Sequence, residues 1–263
     1  MMNIMRPGSL AEAVDQFRKD PEHTRYIAGG TEVNRQGHSQ SLYQGILIFP
    51  LLDASISRKG KGLSIGAGAV LQDLADHPEV PSALRKAAKY AVSRTLRCMA
   101  TVGGNIAAAR DDSYLLPVLA ASRAELHLSD GQVLLVDTYL GEQADLAGSI
   151  ITKVVLPDCS RPVYLERVAR SSQTKAALSI ACSIDDEGFS IYCSAAGQRI
   201  RRLHEVESAA AQSAVSQAQM ISLVQRTFHP ADDITGSTAY KQYLAGVYIT
   251  QALEELQAQR GEQ

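Results

Sequence analysis

Two short segments far apart in the chain share an unusual composition, Ile27-Ala28-Gly29-Gly30-Thr31 and Thr101-Val102-Gly103-Gly104-Asn105. Each sets adjacent glycines among small apolar and polar residues. Paired glycines admit left-handed backbone and, lacking Cβ atoms, let another chain or a ligand come close. Successive amides in such a bend can converge on an anion, while Thr31, Thr101 and Asn105 add side-chain hydrogen-bonding groups. Two opposed bends of this kind suit a pyrophosphate and its adjoining sugar alcohol. Gly-Gly equally marks a plain tight turn, so the residues alone support only a phosphate-bearing ligand. Neither segment runs on into the Gly-Lys-Ser/Thr of a P-loop. Neither has the third glycine and downstream acidic residue of a dinucleotide fingerprint.

The surrounding pattern is mixed. Ser9 with Glu12 forms a capping box that opens a helix through about Phe17. Short apolar runs at Tyr26–Ala28, Ile46–Phe49 and Leu63–Ile65 predict strands, and Val70–Leu74 a helical turn or two. Pro81 starts a helix that carries Leu84, Ala87, Ala88 and Ala91 on one stripe and gives out near Val92. Ser113–Ala120 reads as a helix, Ala124–Leu128 and Val133–Val136 as a hairpin, and Ile150–Leu156 as a strand stopped by Pro157. Beyond a proline-rich boundary at Pro157–Pro162, three runs predict a small antiparallel meander: Val163–Val168, Ala176–Ile184 and Phe189–Ser194. Two helices close the chain, at about Ala210–Thr227 and Thr238–Gln257.

Composition narrows the chemistry. With 26 basic against 28 acidic residues and no basic tract, the chain lacks the electrostatic footprint of a nucleic-acid binder. Cys98, Cys159, Cys182 and Cys193 match no zinc or iron–sulfur spacing, and they read as free thiols of a reducing compartment. His23, His38, His77, His127, His204 and His229 are scattered and form no acid–base or metal constellation. The N-terminal residues carry no export signal and no stretch is long and apolar enough to span a membrane, so a cytoplasmic protein is expected. No catalytic acid, base or nucleophile and no metal ligand is assigned.

The segment Arg97-Cys98-Met99-Ala100-Thr101-Val102-Gly103-Gly104-Asn105-Ile106-Ala107, with Ala28-Gly29-Gly30-Thr31-Glu32, resembles the two flavin loops of a known family. That family is the FAD-binding medium subunits of the molybdenum hydroxylases, found in xanthine dehydrogenase-like and carbon monoxide dehydrogenase-like complexes. Within it the likeness extends to an enterobacterial flavin subunit associated with selenate reduction or purine catabolism. The resemblance covers most of the chain, from Arg6-Pro7-Gly8-Ser9 through Tyr240-Lys241-Gln242-Tyr243.

It implies an α+β chain: a two-lobed FAD-binding fold of the PCMH type over 1–159, with lobes of about 1–57 and 58–159. A C-terminal domain over 160–263 would follow, with a small antiparallel sheet and helices. Carried over by resemblance, Ile27, Ala28, Gly29, Gly30, Thr31, Glu32 and Val33 wrap the pyrophosphate. Ala100, Thr101, Gly103, Gly104, Asn105 and Ile106 lie along the phosphate–ribityl portion and the flavin. Leu156 flanks the adenine region, and Arg167 stands where the family has a lysine near the flavin. The chain departs from the family at Cys98, in place of asparagine, and at Tyr114, in place of an aspartate that binds a cofactor hydroxyl. Asp111 or Asp112 can replace that carboxylate only if the loop takes another path, and the 171–175 segment lacks an acidic residue of the family.

The implied function is electron transfer through FAD, from iron–sulfur clusters to an acceptor such as NAD. Molybdopterin and the clusters would be confined to partners, a molybdopterin-binding large subunit and a 2Fe-2S small subunit, and a homodimer is a further assembly. The other readings are a non-enzymatic scaffold whose FAD binding is weakened or lost, and a free-standing oxidoreductase.

Overall fold

Ser9 sets the first helix as its sequence predicts: its Oγ accepts the Glu12 amide at 3.2 Å. The return bond of the box is displaced by one residue, since Glu12 Oε2 accepts from the amide of Gly8 at 2.7 Å. The computed structural model describes residues 3–36, 44–91, 93–143, 145–171, 174–212 and 215–261. Val92, His38, Ser172 and Gln173 lie outside them.

One compact unit comprises Met1–Val80, Val92–Ala108 and Arg123–Pro157. Its first layer is a parallel three-stranded sheet of β1 (Asn3–Met5), β2 (Thr24–Ile27) and β3 (Gln44–Leu47), in the order β1-β3-β2. Parallel pairing requires crossovers. The first is helix α1 (Leu10–Lys19), and α2 (Thr31–Gln36) lies between β2 and β3. Ala13, Ile46, Ile48 and Ile150 form the buried centre of this part, with Phe17 stacked on Tyr26 at 4.9 Å.

The second layer is a five-stranded antiparallel sheet in the order β4-β5-β8-β6-β7. Its strands are β4 (Ile56–Lys59), β5 (Gly62–Gly66), β6 (Glu125–Leu128), β7 (Val133–Leu135) and β8 (Ile151–Leu156). The β6–β7 turn is held by Asp130 Oδ1, which accepts the Gln132 amide, and by Gly131 at φ 89°. Besides α1 and α2, four helices among the described residues belong to this unit: α3 (Leu71–Asp76), α5 (Arg94–Arg97), α6 (Val102–Ala108) and α8 (Val136–Glu142). Of these, α5, α6 and α8 are not predicted by sequence pattern. Each is at most seven residues long, too short for a 3.6-residue period to register.

The other unit comprises Pro81–Ala91, Ala109–Ser122 and Asp158–Gln263, so α4 (Ser82–Ala91) and α7 (Leu115–Ala121) belong to it. Its antiparallel sheet has the order β12-β11-β10-β9, built from β9 (Val163–Val168), β10 (Leu178–Asp185), β11 (Gly188–Ala195) and β12 (Gln198–Arg202). Leu178, Ile180 and Cys182 of β10, with Ile191 and Cys193 of β11, are buried in one core with residues of α9 (His204–Gln212), α10 (Gln217–Thr227) and α11 (Thr238–Gly261). The intervening residues of these strands are mostly small and polar and meet α7, where Ser183 Oγ donates to the Ala121 carbonyl at 2.7 Å and Ser194 Oγ to that of Ser113 at 3.2 Å. The helix predicted over Ala210–Thr227 takes in α10 but only the last three residues of α9, which already starts at His204. Ser216 and Gln219 close a full capping box and start α10 afresh, which a continuous apolar stripe conceals.

Candidate functional site

The first diglycine bend follows β2 directly. Gly30 takes the left-handed backbone its composition predicts, at φ 70°, and its carbonyl accepts the Asn34 amide at 3.0 Å, which starts α2. Gly29 is glycine for a different reason. A Cβ there would lie 1.8 Å from the Met99 carbonyl oxygen and 3.2 Å from Ala100 Cα, so the bend rests on the backbone that leads into the second diglycine segment. The two segments are therefore neighbours in one unit. Among the described residues, no protein acceptor takes the amides of Gly29, Gly30 or Thr31.

The second segment is not an open bend. It forms the start of α6, and neither Gly103 nor Gly104 has positive φ. Its amides are spent inside the protein: Val102 N donates to Ala69 O at 2.8 Å, Gly103 N to Ala67 O at 2.9 Å, Gly104 N to Thr101 Oγ1 at 3.1 Å and Asn105 N to Thr101 O at 2.9 Å. The anion nest expected from both glycine pairs is thus available from the first alone. Gly103 serves close packing, since a Cβ would stand 2.7 Å from that of Ala67.

The segment Gly66-Ala67-Gly68 that receives it leans on the Asp53 carbonyl, 2.2 Å from a Cβ built on Gly66. Sequence reading places this segment only as a strand end. The signal was the pair of glycines flanking one alanine at the end of β5, a pattern that permits backbone contact on both sides.

Burial sorts the predicted residues. Ile27, Ala28, Gly29, Gly30, Thr31, Glu32 and Val33 are all partly exposed. Of Ala100–Ile106 only Gly104 and Asn105 reach the surface, whereas Ala100, Thr101, Gly103 and Ile106 are buried, Thr101 as the cap of the Gly104 amide. Asn105 Oδ1 is a buried acceptor with no partner. Such an orphan is costly unless a ligand or water supplies a donor. Leu156 is buried in register with Leu63, with its side chain inside the core.

Asp112, Tyr114 and Arg167 fall in the other unit and form a cluster of their own. Asp112 takes a bidentate pair from Arg110, with Nε and the terminal nitrogen both at 2.7 Å. Burial opposes ionisation of Asp112, but the hydrogen bond and charge of Arg110, with Lys175 beyond, outweigh it and hold the carboxyl below its ordinary range. The Tyr114 hydroxyl accepts the Ala176 amide at 3.2 Å, and its ring meets Tyr90 edge-on at 6.2 Å. The Arg167 guanidinium lies 5.4 Å from the Tyr90 ring centre and 5.2 Å from that of Tyr114, and donates to the Ser171 and Thr174 carbonyls. Tyr114 therefore spends its hydroxyl on backbone. Asp111, the other carboxylate considered at this loop, accepts the Gly197 amide at 2.9 Å. Among the described residues, no group of three or more His, Cys, Asp or Glu side chains is placed to hold a metal.

Residues 1–159, which contain both diglycine segments, match the family model for the FAD binding domain in molybdopterin dehydrogenase. The chain belongs to this FAD-binding family. Over 262 residues it is 31% identical to the uncharacterized protein YgfM of Escherichia coli K12, covering 99% of this chain and 98% of that protein. Among solved structures, a chain of the reconstituted CO dehydrogenase from Oligotropha carboxidovorans superposes with a TM-score of 0.83 at 20% identity, over 98% of each chain. A chain of quinoline 2-oxidoreductase from Pseudomonas putida 86 gives 0.79 at 18% identity, over 97% of this chain and 96% of that one. The α+β architecture expected of the family is the one these chains share. No described helix of this member of the FAD-binding family is long and apolar enough to cross a membrane.

Proposed function

We propose that this chain binds FAD and serves as the cytoplasmic electron-transfer subunit of a molybdenum hydroxylase-like complex. Electrons would pass between the iron–sulfur clusters of a 2Fe-2S small subunit and an acceptor such as NAD, with molybdopterin held by a large subunit. The observation that carries the reading is the contact of Gly29 with the Met99 backbone, which brings a bend whose amides meet no acceptor among the described residues against the backbone that leads on to Asn105, whose buried Oδ1 has no partner.

The residues fit the cofactor's chemistry. The Gly29, Gly30 and Thr31 amides offer donors to a pyrophosphate, and Asn105 Oδ1 accepts a hydroxyl donor of the kind a ribityl chain carries. Thr101 and Gly103 hold that segment in place from within. When bound, FAD supplies one- and two-electron exchange. The protein supplies position, and no side chain of this chain is assigned a proton-transfer role.

A second reading, a scaffold subunit with weakened flavin binding, is favoured by one observation. Tyr114 stands where the resembling family has a carboxylate, and its hydroxyl is occupied by the Ala176 amide.

The visible spectrum of gently purified protein and the identity of the released cofactor test both readings. The expected result is a yellow protein carrying stoichiometric FAD that NADH bleaches. Failure of a folded protein to take up FAD on reconstitution would overturn the proposal in favour of the scaffold.

A further inference from the structure

Asn34 is the fourth residue of α2, and a helical side chain leans back over the turn that precedes its own Cα. The turn beneath Asn34 is the Gly29-Gly30 bend. Its backbone amide is committed to the Gly30 carbonyl at 3.0 Å, which roots the side chain against that bend. The Nδ2 atom lies 3.5 Å from the point where a Cβ on Gly30 would stand. A donor group therefore sits over the Cα that Gly30 leaves bare. Asn34 is exposed, and among the described residues no hydrogen bond uses its side-chain amide. An exposed asparagine needs no ligand, and the two amide hydrogens can be served by water. What sets this one apart is its place beside amides that also lack a protein acceptor.

The charge of the bend gives that place a meaning. From Ile27 to Arg35 the charged residues are Glu32 and Arg35, and they pair. Arg35 Nε and a terminal nitrogen lie 3.1 and 2.5 Å from the two Glu32 carboxylate oxygens. This stretch therefore brings no net charge to an anion, and its hold must come from neutral donors. A pyrophosphate carries more acceptor sites than the amides of Gly29, Gly30 and Thr31 can serve.

We infer that Asn34 is a further pyrophosphate-binding residue, donating from Nδ2 to a phosphate oxygen held by the Gly29–Thr31 amides. The inference rests on the flavin reading and adds to it the residue type at this position. A neutral amide admits the negatively charged linkage, whereas a carboxylate of the same shape would repel it.

Titration of flavin-free full-length protein with FAD, followed by flavin fluorescence at several sodium chloride concentrations, tests it. Asn34→Ala should bind FAD at least about tenfold more weakly, as loss of one hydrogen bond to a charged group does. Its flavin-free thermal midpoint should be no lower than that of wild type, since alanine is the better helix residue. Asn34→Asp should bind more weakly still. The gap between the two variants should close as salt is raised, because repulsion between carboxylate and pyrophosphate is screened. A wild-type chain that takes up no FAD overturns the flavin reading and this inference with it. Wild-type binding that both variants match overturns the inference alone, as does an equal loss in the two variants at every salt concentration.

Discussion

Gly29 faces the carbonyl of Met99 so closely that the first carbon of any side chain would sit 1.8 Å from the oxygen. The obstacle is backbone, so no rotamer change relieves it. Gly29→Ala should therefore part the two segments, destabilising the fold by about 1–3 kcal/mol as overpacking does and removing most bound flavin. Calorimetry with cofactor content checks both. A variant that keeps its melting temperature and its FAD would show that the contact is unimportant.

Gly104 differs, because a Cβ there meets only the Thr101 Oγ1 atom, at 2.8 Å. Gly104→Val should leave the fold largely intact while cutting FAD occupancy sharply. Flavin-to-protein ratio after reconstitution is the measurement, and unchanged stoichiometric binding would remove Gly104 from the cofactor site.

Asn105 offers a test with opposite signs in the two states. Its Oδ1 is buried and unpartnered, and an unmet acceptor costs about 1–3 kcal/mol. Asn105→Leu should leave the flavin-free protein as stable as wild type or more so, yet weaken FAD binding by roughly tenfold, the value of one hydrogen bond to a ligand. Denaturant melts of apoprotein and flavin titrations should diverge in this way. Parallel losses in both would mean that Asn105 is structural only.

For Tyr114 the expectation is reversed. Tyr114→Phe removes the acceptor of the buried Ala176 amide and should cost about 1–2 kcal/mol with no change in flavin affinity. A selective loss of FAD binding would return Tyr114 to the cofactor site.

Asp233 carries an acid-stability signature. Burial pushes its carboxyl up, but hydrogen bonds from Lys241 and Thr235 and the Lys241 charge outweigh this and depress it far below the ordinary range. A carboxyl depressed in the folded state contributes stability that is fully present above its unfolded value of about 4. That stability is lost as pH falls from there toward the folded value. Asp233→Asn should therefore flatten the fall in stability below about pH 4, measured by urea melts at several pH values. Equal slopes for the two proteins would refute the assignment.

Much of the architecture was legible in local pattern. The run Ala176–Ile184 predicts a strand, Asp130-Gly131 the hairpin turn, and Ser9 the start of α1, because each depends on residues within one turn or one strand pair. Helices α5, α6 and α8 escaped notice for the converse reason, being too short to establish a period. The single helix expected over Ala210–Thr227 failed at Ser216, where a cap outweighs a continuous stripe.

The candidate site divides along the same line. Composition alone determined that residues 29–30 and 103–104 were places where backbone could come close, and that a phosphate-bearing ligand suited such bends. Only the tertiary structure decided what came close to each. Gly29 meets Met99 and keeps amides to spare, whereas Gly103 meets Ala67 and spends its amide there. A missing Cβ marks space but not its occupant. The occupant comes from remote parts of the chain, brought in by sheet pairing and core packing that no local period encodes.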